Sequence, residues 1–274
     1  MDSMVYLSGA AGGLGRSMAV ECAQRGWDLF LTDIAEDGLE RFAGALRRAY
    51  GVRVEHWACD MASYASRTAL LEHIEQRGYR FRMAVNIAGV DHEGLFLEKS
   101  REQIQEILQI NVLSTLDMTH ALIGHRDPSL PFRILNVCSL AGMFPMPVKA
   151  TYAASKRLLI DMSLALREEF RPLNATVTAL CPAGMATNDV LLKSLDVQGF
   201  AGRVTTLEVP LITRRAIDCA LRGKAVYVPG AVNKALLAVS RLAPVGLKTR
   251  AIAWRWRKTN RQFEKALCEP ASQS

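Results

Sequence analysis

Six short apolar runs, each followed by a stretch of helical periodicity, leave this chain few ways to fold. The runs are Met4 to Ser8, Asp28 to Thr32, Val52 to Cys59, Arg82 to Asn86, Phe132 to Cys138 and Ala175 to Leu180. Helical patterns follow them in turn: first around Met18, Ala19, Cys22 and Ala23, then over Glu36 to Tyr50, Ser63 to Gln76, Ser100 to Leu122, Thr151 to Phe170 and Glu208 to Leu221. A seventh run, Ala225 to Val228, ends in Pro229-Gly230. Strands that are apolar almost throughout need cover on both faces, and repeated strand–helix units point every strand the same way. The expected fold class is α/β: a doubly wound parallel sheet of about seven strands with helices on both faces. In such a sheet, function gathers outside the carboxyl ends of the strands.

Three features sit at those ends. The first is Gly9-x-x-x-Gly13-x-Gly15, between the first strand and the first helix. Glycines there let the backbone turn tightly and approach a pyrophosphate at a helix N-terminus. An ordinary glycine-rich turn would give the same residues, so their position between strand and helix carries the inference. The second is Asp33, at the end of the second strand. Its carboxylate can accept bonds from adenosine ribose hydroxyls and would repel a 2′-phosphate. Ile34 follows it and Gly12 lies in the loop where a basic residue would meet that phosphate, so NAD is expected over NADP. Arg16 is the nearby cation that argues for NADP, and Asp33 as a plain helix cap is the other reading.

The third feature is a helix face. Tyr152 and Lys156 are four residues apart in a segment free of Pro and Gly, and Ser139 precedes the tyrosine by thirteen residues at the end of the fifth strand. Residues four apart share a helix face. A cation beside a phenol favours the phenolate, which makes a tyrosine usable as an acid or base near neutral pH. A serine hydroxyl at the strand end could donate to the same carbonyl oxygen that Tyr152 protonates. A surface tyrosine and lysine would fit the pair alone equally well.

Taken in order, these elements resemble the short-chain dehydrogenase/reductase family across about residues 4 to 230. The family's TGxxxGxG loop appears as Ser8 to Gly15 with Ser for Thr. Its adenine-side Asp appears as Asp60, its NNAG element as Asn86-Ile87-Ala88-Gly89, and its helix Asn as Asn111. Ser139, Tyr152 and Lys156 match its catalytic set, and PGxxxT appears as Pro182-Ala-Gly-Met-Ala-Thr187. The resemblance implies a Rossmann fold and an NAD(P)-dependent enzyme acting on CH–OH groups. It further implies a dinucleotide held by Gly9, Gly13, Leu14, Gly15, Asp33, Ile34, Asp60, Met61, Asn86, Ala88, Gly89, Tyr152 and Lys156, with Pro182, Met185 and Thr187 bordering the nicotinamide. Tyr152 is then the general acid in reduction and the general base in oxidation, and Lys156 lowers its pKa and binds the nicotinamide ribose. Ser139 polarises the substrate oxygen, and Asn111 positions a water for proton relay. A homodimer or homotetramer is implied in the same way. A dinucleotide-binding sensor or scaffold without chemistry, and an NADP-dependent 3-oxoacyl reductase, are the alternatives.

Substrate is expected against Ser139, Met143, Phe144, Tyr152 and Met185. The neighbouring apolar residues point to a small hydrophobic alcohol or ketone, steroid or fatty-acyl in character. The six cysteines show no CxxC pair and no His partners at metal spacing, so no metal site and a reducing cytoplasm are expected. The first strand begins within four residues of the start, which leaves no room for a signal peptide. No uninterrupted apolar run is long enough to span a membrane. The net charge of +7 is not concentrated in the way nucleic-acid binding requires, and half or more of it lies near the C-terminus. After the core of residues 1–230, residues 231–268 read as a basic amphipathic helical extension and 269–274 as a disordered tail. Lys248, Arg250, Arg255, Arg257, Lys258 and Arg261 accompany Trp254 and Trp256 there. Such an extension can pack on the core or a second subunit, cover the site's mouth, or lie on an anionic membrane at its inner face.

Overall fold

In a computed structural model, residues 3–184, 208–240 and 243–255 are described. Seven parallel strands form one sheet in the order β3-β2-β1-β4-β5-β6-β7. They are β1 (Met4–Ser8), β2 (Leu29–Asp33), β3 (Val54–Ala58), β4 (Phe81–Asn86), β5 (Phe132–Val137), β6 (Ala175–Leu180) and β7 (Val226–Tyr227). Between them run α1 (Gly13–Gln24), α2 (Glu36–Tyr50), α3 (Tyr64–Gln76), α4 (Arg101–Leu108), α5 (Ser114–Leu122), α6 (Ala150–Glu169) and α7 (Val209–Leu221). Two further helices follow the sheet, α8 (Ala231–Ser240) and α9 over residues 245–255.

The two faces of β1 show how the sheet is buried. Val5 and Leu7 pack with Met18, Ala19, Leu39 and Ile217 on the side of α1, α2 and α7. Met4 and Tyr6 pack with Phe30, Ile74, Phe81 and Leu122 on the side of α3 and α5. Side chains along a strand alternate between faces, so a strand apolar at every position feeds both cores. Phe30 and Phe81 are fully buried, and truncating either to Ala should cost about 3–5 kcal/mol.

The expected long helix from Ser100 to Leu122 is continuous but contains a π turn at Gln109–Leu113. Its hydrogen bonds loosen there: the Ser114 N–H reaches back to the Gln109 carbonyl, five residues away. The Ser114 hydroxyl takes up the Ile110 carbonyl and the Thr115 hydroxyl that of Asn111. Strand order reverses between β1 and β4, which opens a crevice at their carboxyl ends.

Candidate active site

The crevice begins at the turn between β1 and α1. Gly9 has a φ of +64°, and a Cβ there would stand 2.9 Å from the Ala88 nitrogen. A Cβ on Gly15 would stand 2.0 Å from the Gly9 carbonyl oxygen, closer than any side chain allows. These glycines are therefore fixed by close approach within the loop itself. Ser8 joins the loop to its neighbour, its hydroxyl accepting from the N–H groups of Ile87 (3.0 Å) and Ala88 (3.3 Å). On the other side, Asp33 accepts from the Ala11 N–H at 2.9 Å and the Ala35 N–H at 3.2 Å. No side chain caps α1 and no acidic residue lies in its first turn, so its N-terminal N–H groups keep their capacity for an anion.

From this turn a cleft of about 660 Å³ runs to the carboxyl end of β5. One end holds Asp33, Ile34, Asp60 and Met61. The middle is formed by the glycine loop, Leu14 and Ala88 to Val90, and the far end by Ser139, Tyr152, Lys156 and Pro182. The elongated shape, the uncapped helix start midway and the carboxylate at one end all fit a dinucleotide.

At the far end, α6 turns Tyr152 and Lys156 to the same face. The Lys156 ammonium lies 5.8 Å from the centre of the Tyr152 ring. It is fully buried, donates to the Val137 carbonyl at 2.9 Å, and its pKa is lowered because burial disfavours the charge. Ser139 accepts from the Ala141 N–H at 3.1 Å, which fixes its hydroxyl at the end of β5. Gly89 leaves the space between these groups, since a Cβ on it would meet Asn111 Oδ1 at 3.0 Å and Lys156 Nζ at 3.2 Å.

A second lysine shares the tyrosine. Lys149 Nζ also lies 5.8 Å from the ring centre, pairs with Asp91 at 2.6 Å and forms a shorter contact with Glu93. Burial alone would lower the Lys149 pKa, but the two carboxylates outweigh it and raise it. The Tyr152 pKa is raised, first by burial; the Ser139 hydroxyl and the Lys149 cation pull it down, and Asp91 pushes it up. Lys149 is thus a second cation beside the phenol, at the same distance from the ring as Lys156. Asp91 lines the cleft, and its Oδ1 is buried with no hydrogen-bond partner among the described residues.

Most residues expected at the dinucleotide site line this one cleft: Gly9, Gly13, Leu14, Gly15, Asp33, Ile34, Asp60, Met61, Ala88, Gly89, Tyr152, Lys156 and Pro182. Asn86 does not. Its amide donates to Thr119 (3.1 Å) and Asn136 (2.8 Å), and Asn136 continues to Ser163 (2.9 Å), so it ties β4 to α5, β5 and α6 beneath the cleft. Asn111 is fully buried behind the cleft. Its amide donates to the Val90 carbonyl (2.9 Å) and Ser155 (3.2 Å), and its Oδ1 accepts from the Val90 N–H (2.8 Å). The side chain is therefore tied to the Val90 turn and to Ser155. Met143 and Phe144 line a separate apolar cavity of about 520 Å³ rather than the cleft, against Ala150, Ala153 and Arg157 of α6. Met185 and Thr187 lie outside the described residues. Lys149 and Asp91 were not expected from the sequence; nothing in their spacing marks them. Among the described residues no cluster of His, Cys, Asp and Glu could hold a metal.

The family model for short chain dehydrogenases matches residues 3–194. A very-long-chain 3-oxoacyl-CoA reductase of Laccaria bicolor is 32% identical over 181 residues, which cover 64% of this chain and 52% of the relative. Human 17-beta-hydroxysteroid dehydrogenase type 3 is 28% identical over 192 residues, covering 68% of this chain and 60% of the relative. The match to these curated relatives therefore spans a little over half of their length. A solved short-chain dehydrogenase from Sphingobium yanoikuyae in complex with NADPH superposes with a TM-score of 0.70 at 23% identity, covering 99% of this chain and 98% of that one.

Proposed function

Because the chain belongs to the short-chain dehydrogenase/reductase family, we propose that it interconverts a secondary alcohol and a ketone on a hydrophobic substrate, using a nicotinamide dinucleotide and favouring NAD(H). The observation that carries this reading is the meeting of Ser139, Tyr152 and Lys156 in the same cleft as the glycine loop and Asp33. A sensor or scaffold would need the loop and the carboxylate but not a half-buried phenol with two lysines near its ring. Names of the relatives, a 3-oxoacyl-CoA reductase and a hydroxysteroid dehydrogenase, support a lipophilic carbonyl substrate.

When bound, the nicotinamide supplies or accepts a hydride. The chain's own groups do the rest. Ser139 donates a hydrogen bond to the substrate oxygen and holds it against Tyr152, which gives the proton in reduction and takes it in oxidation. Lys156 holds the ribose hydroxyls, and the glycine loop and α1 receive the pyrophosphate. Asn111 shapes the Val90 turn beside Lys156, and the proton-relay role implied by family likeness is kept as part of this reading. Asp33 sets the preference for NAD by repelling a 2′-phosphate. The second reading, an NADP-dependent 3-oxoacyl reductase, is favoured by the reductase named above and by the NADPH in the Sphingobium structure. Residues 1–230 form the catalytic unit in this reading. By analogy with the family it works as a homodimer or homotetramer. The five described cysteines are free, which supports a cytoplasmic setting.

Absorbance of reduced nicotinamide with steroids, fatty alcohols and 3-oxoacyl thioesters, each run with both cofactors, tests the proposal. Turnover of a lipophilic member with NAD(H) is expected; dinucleotide binding without turnover of any member would favour the sensor.

A further inference from the structure

The residues beyond the sheet, 231–274, carry the chain's whole charge excess. Residues 1–230 balance 25 Lys and Arg with 25 Asp and Glu, whereas residues 231–274 hold nine Lys and Arg and two Glu, which accounts for the full +7. The same region is apolar outward. On α8, Val232, Leu236 and Val239 are 41, 54 and 69% exposed at i, i+4 and i+7, and Lys234 is exposed on another face of the helix. Only Asn233 of α8 is buried, its amide donating to the Pro229 carbonyl at 2.8 Å. On α9, Val245, Leu247 and Trp254 are exposed together with Arg250 and Arg255. A folded surface rarely leaves such a patch to water without a use for it.

Cations interleaved with outward aliphatic side chains and a tryptophan suit one partner best. Nucleic acid would engage the cations and leave the aliphatic stripe wet. An anionic bilayer takes both: the apolar side chains enter the boundary of headgroups and acyl chains, and the cations meet lipid phosphates. No described helix is long and apolar enough to cross a membrane, so the contact is peripheral. We propose that α8 and α9 dock this protein flat on an anionic lipid surface. Thr249 of α9 lines the 520 Å³ cavity with Met143, Phe144 and Met146, so docking brings the loop after Ser139 close to the bilayer. The proposal does not depend on the reaction assigned above.

The test is centrifugation of the full chain with vesicles of phosphatidylcholine alone, or with roughly 30% phosphatidylglycerol added. The chain should pellet with the anionic vesicles only and be released as salt rises from about 0.05 to 0.5 M. Lys248→Glu with Arg250→Glu should weaken binding by about tenfold or more. Leu236→Ser with Val239→Ser should weaken it too, while helical content and dinucleotide binding stay unchanged in both variants. Tyr152→Phe should bind vesicles as the parent does, which separates docking from catalysis. A chain that stays in the supernatant, or that binds neutral vesicles equally and ignores the charge reversal, would overturn the proposal. So would a sedimenting mass that halves in Leu236→Ser with Val239→Ser without vesicles, which would assign the stripe to a second copy. Retention by duplex DNA as strong as by the vesicles would also overturn it.

Discussion

The two ends of the cleft are made from different materials. At the Asp33 end the recognising surface is backbone: the turn of Gly9 to Gly15, the uncapped start of α1, and a carboxylate already bonded to the Ala11 and Ala35 N–H groups. At the Tyr152 end it is side chains: a phenol with two ammonium groups, each 5.8 Å from its ring centre, and Asp91 beside them. The first end works by shape and tolerates little change in volume. The second works by a balance of charges that single substitutions can tilt without disturbing the fold. That contrast orders the expected effects.

The largest belongs to the Tyr152 end. Tyr152→Phe removes only the proton-transfer group, so turnover should fall by about 10²–10⁴ while dinucleotide affinity stays near that of the parent. Undiminished turnover would withdraw the role given to Tyr152. At the other end, Gly15→Ala forces a Cβ into the Gly9 carbonyl, which must move by an ångström or more. A loss of about 1–3 kcal/mol in stability is expected, with weakened dinucleotide binding, read by thermal unfolding and fluorescence titration. An unchanged Tm would mean the turn is looser than its contacts imply. Asp33→Ala is milder. It frees the Ala11 N–H and removes the charge facing a 2′-phosphate, so the NADP to NAD ratio in kcat/KM should rise by roughly tenfold or more. A constant ratio would move the source of selectivity elsewhere, with Arg16 the first candidate.

The same contrast explains what the sequence disclosed. Backbone geometry leaves a record in residue type, because only glycine serves at Gly9 and Gly15, and apolar runs fix the strands because both faces need cover. Strand ends were harder: Asp33 is polar yet still pairs with Ala58 in the ladder. The π turn around Asn111 is invisible to periodicity, since the same apolar positions serve a regular helix. Family spacing carried Asn86 to the cofactor, whereas its amide is committed to Thr119 and Asn136. The Tyr152 end was legible only in part. Lys156 is four residues from the tyrosine on one helix face, but Asp91 is 58 residues from Lys149 and only the packing of the Val90 loop on α6 joins them. Charge balance across such distances has no local signature.

Lys149 therefore provides the finest test of the contrast. Burial raises the Tyr152 pKa above its ordinary value and Lys149 pulls it back. Replacing Lys149 by Met removes that pull and leaves the Asp91 and Glu93 carboxylates without their common partner, so the phenol should become harder to ionise. Alcohol oxidation needs the phenolate, and its rise with pH should move to higher pH. Ketone reduction needs the protonated phenol and should persist to higher pH than in the parent. Lys149→Arg keeps the charge and should restore the original profile. Asp91→Asn removes a carboxylate that opposes the phenolate, and should move the oxidation limb the other way. A merely structural role for Lys149 would lower activity at every pH without moving either limb. That result would leave Lys156 as the only cation governing the phenol.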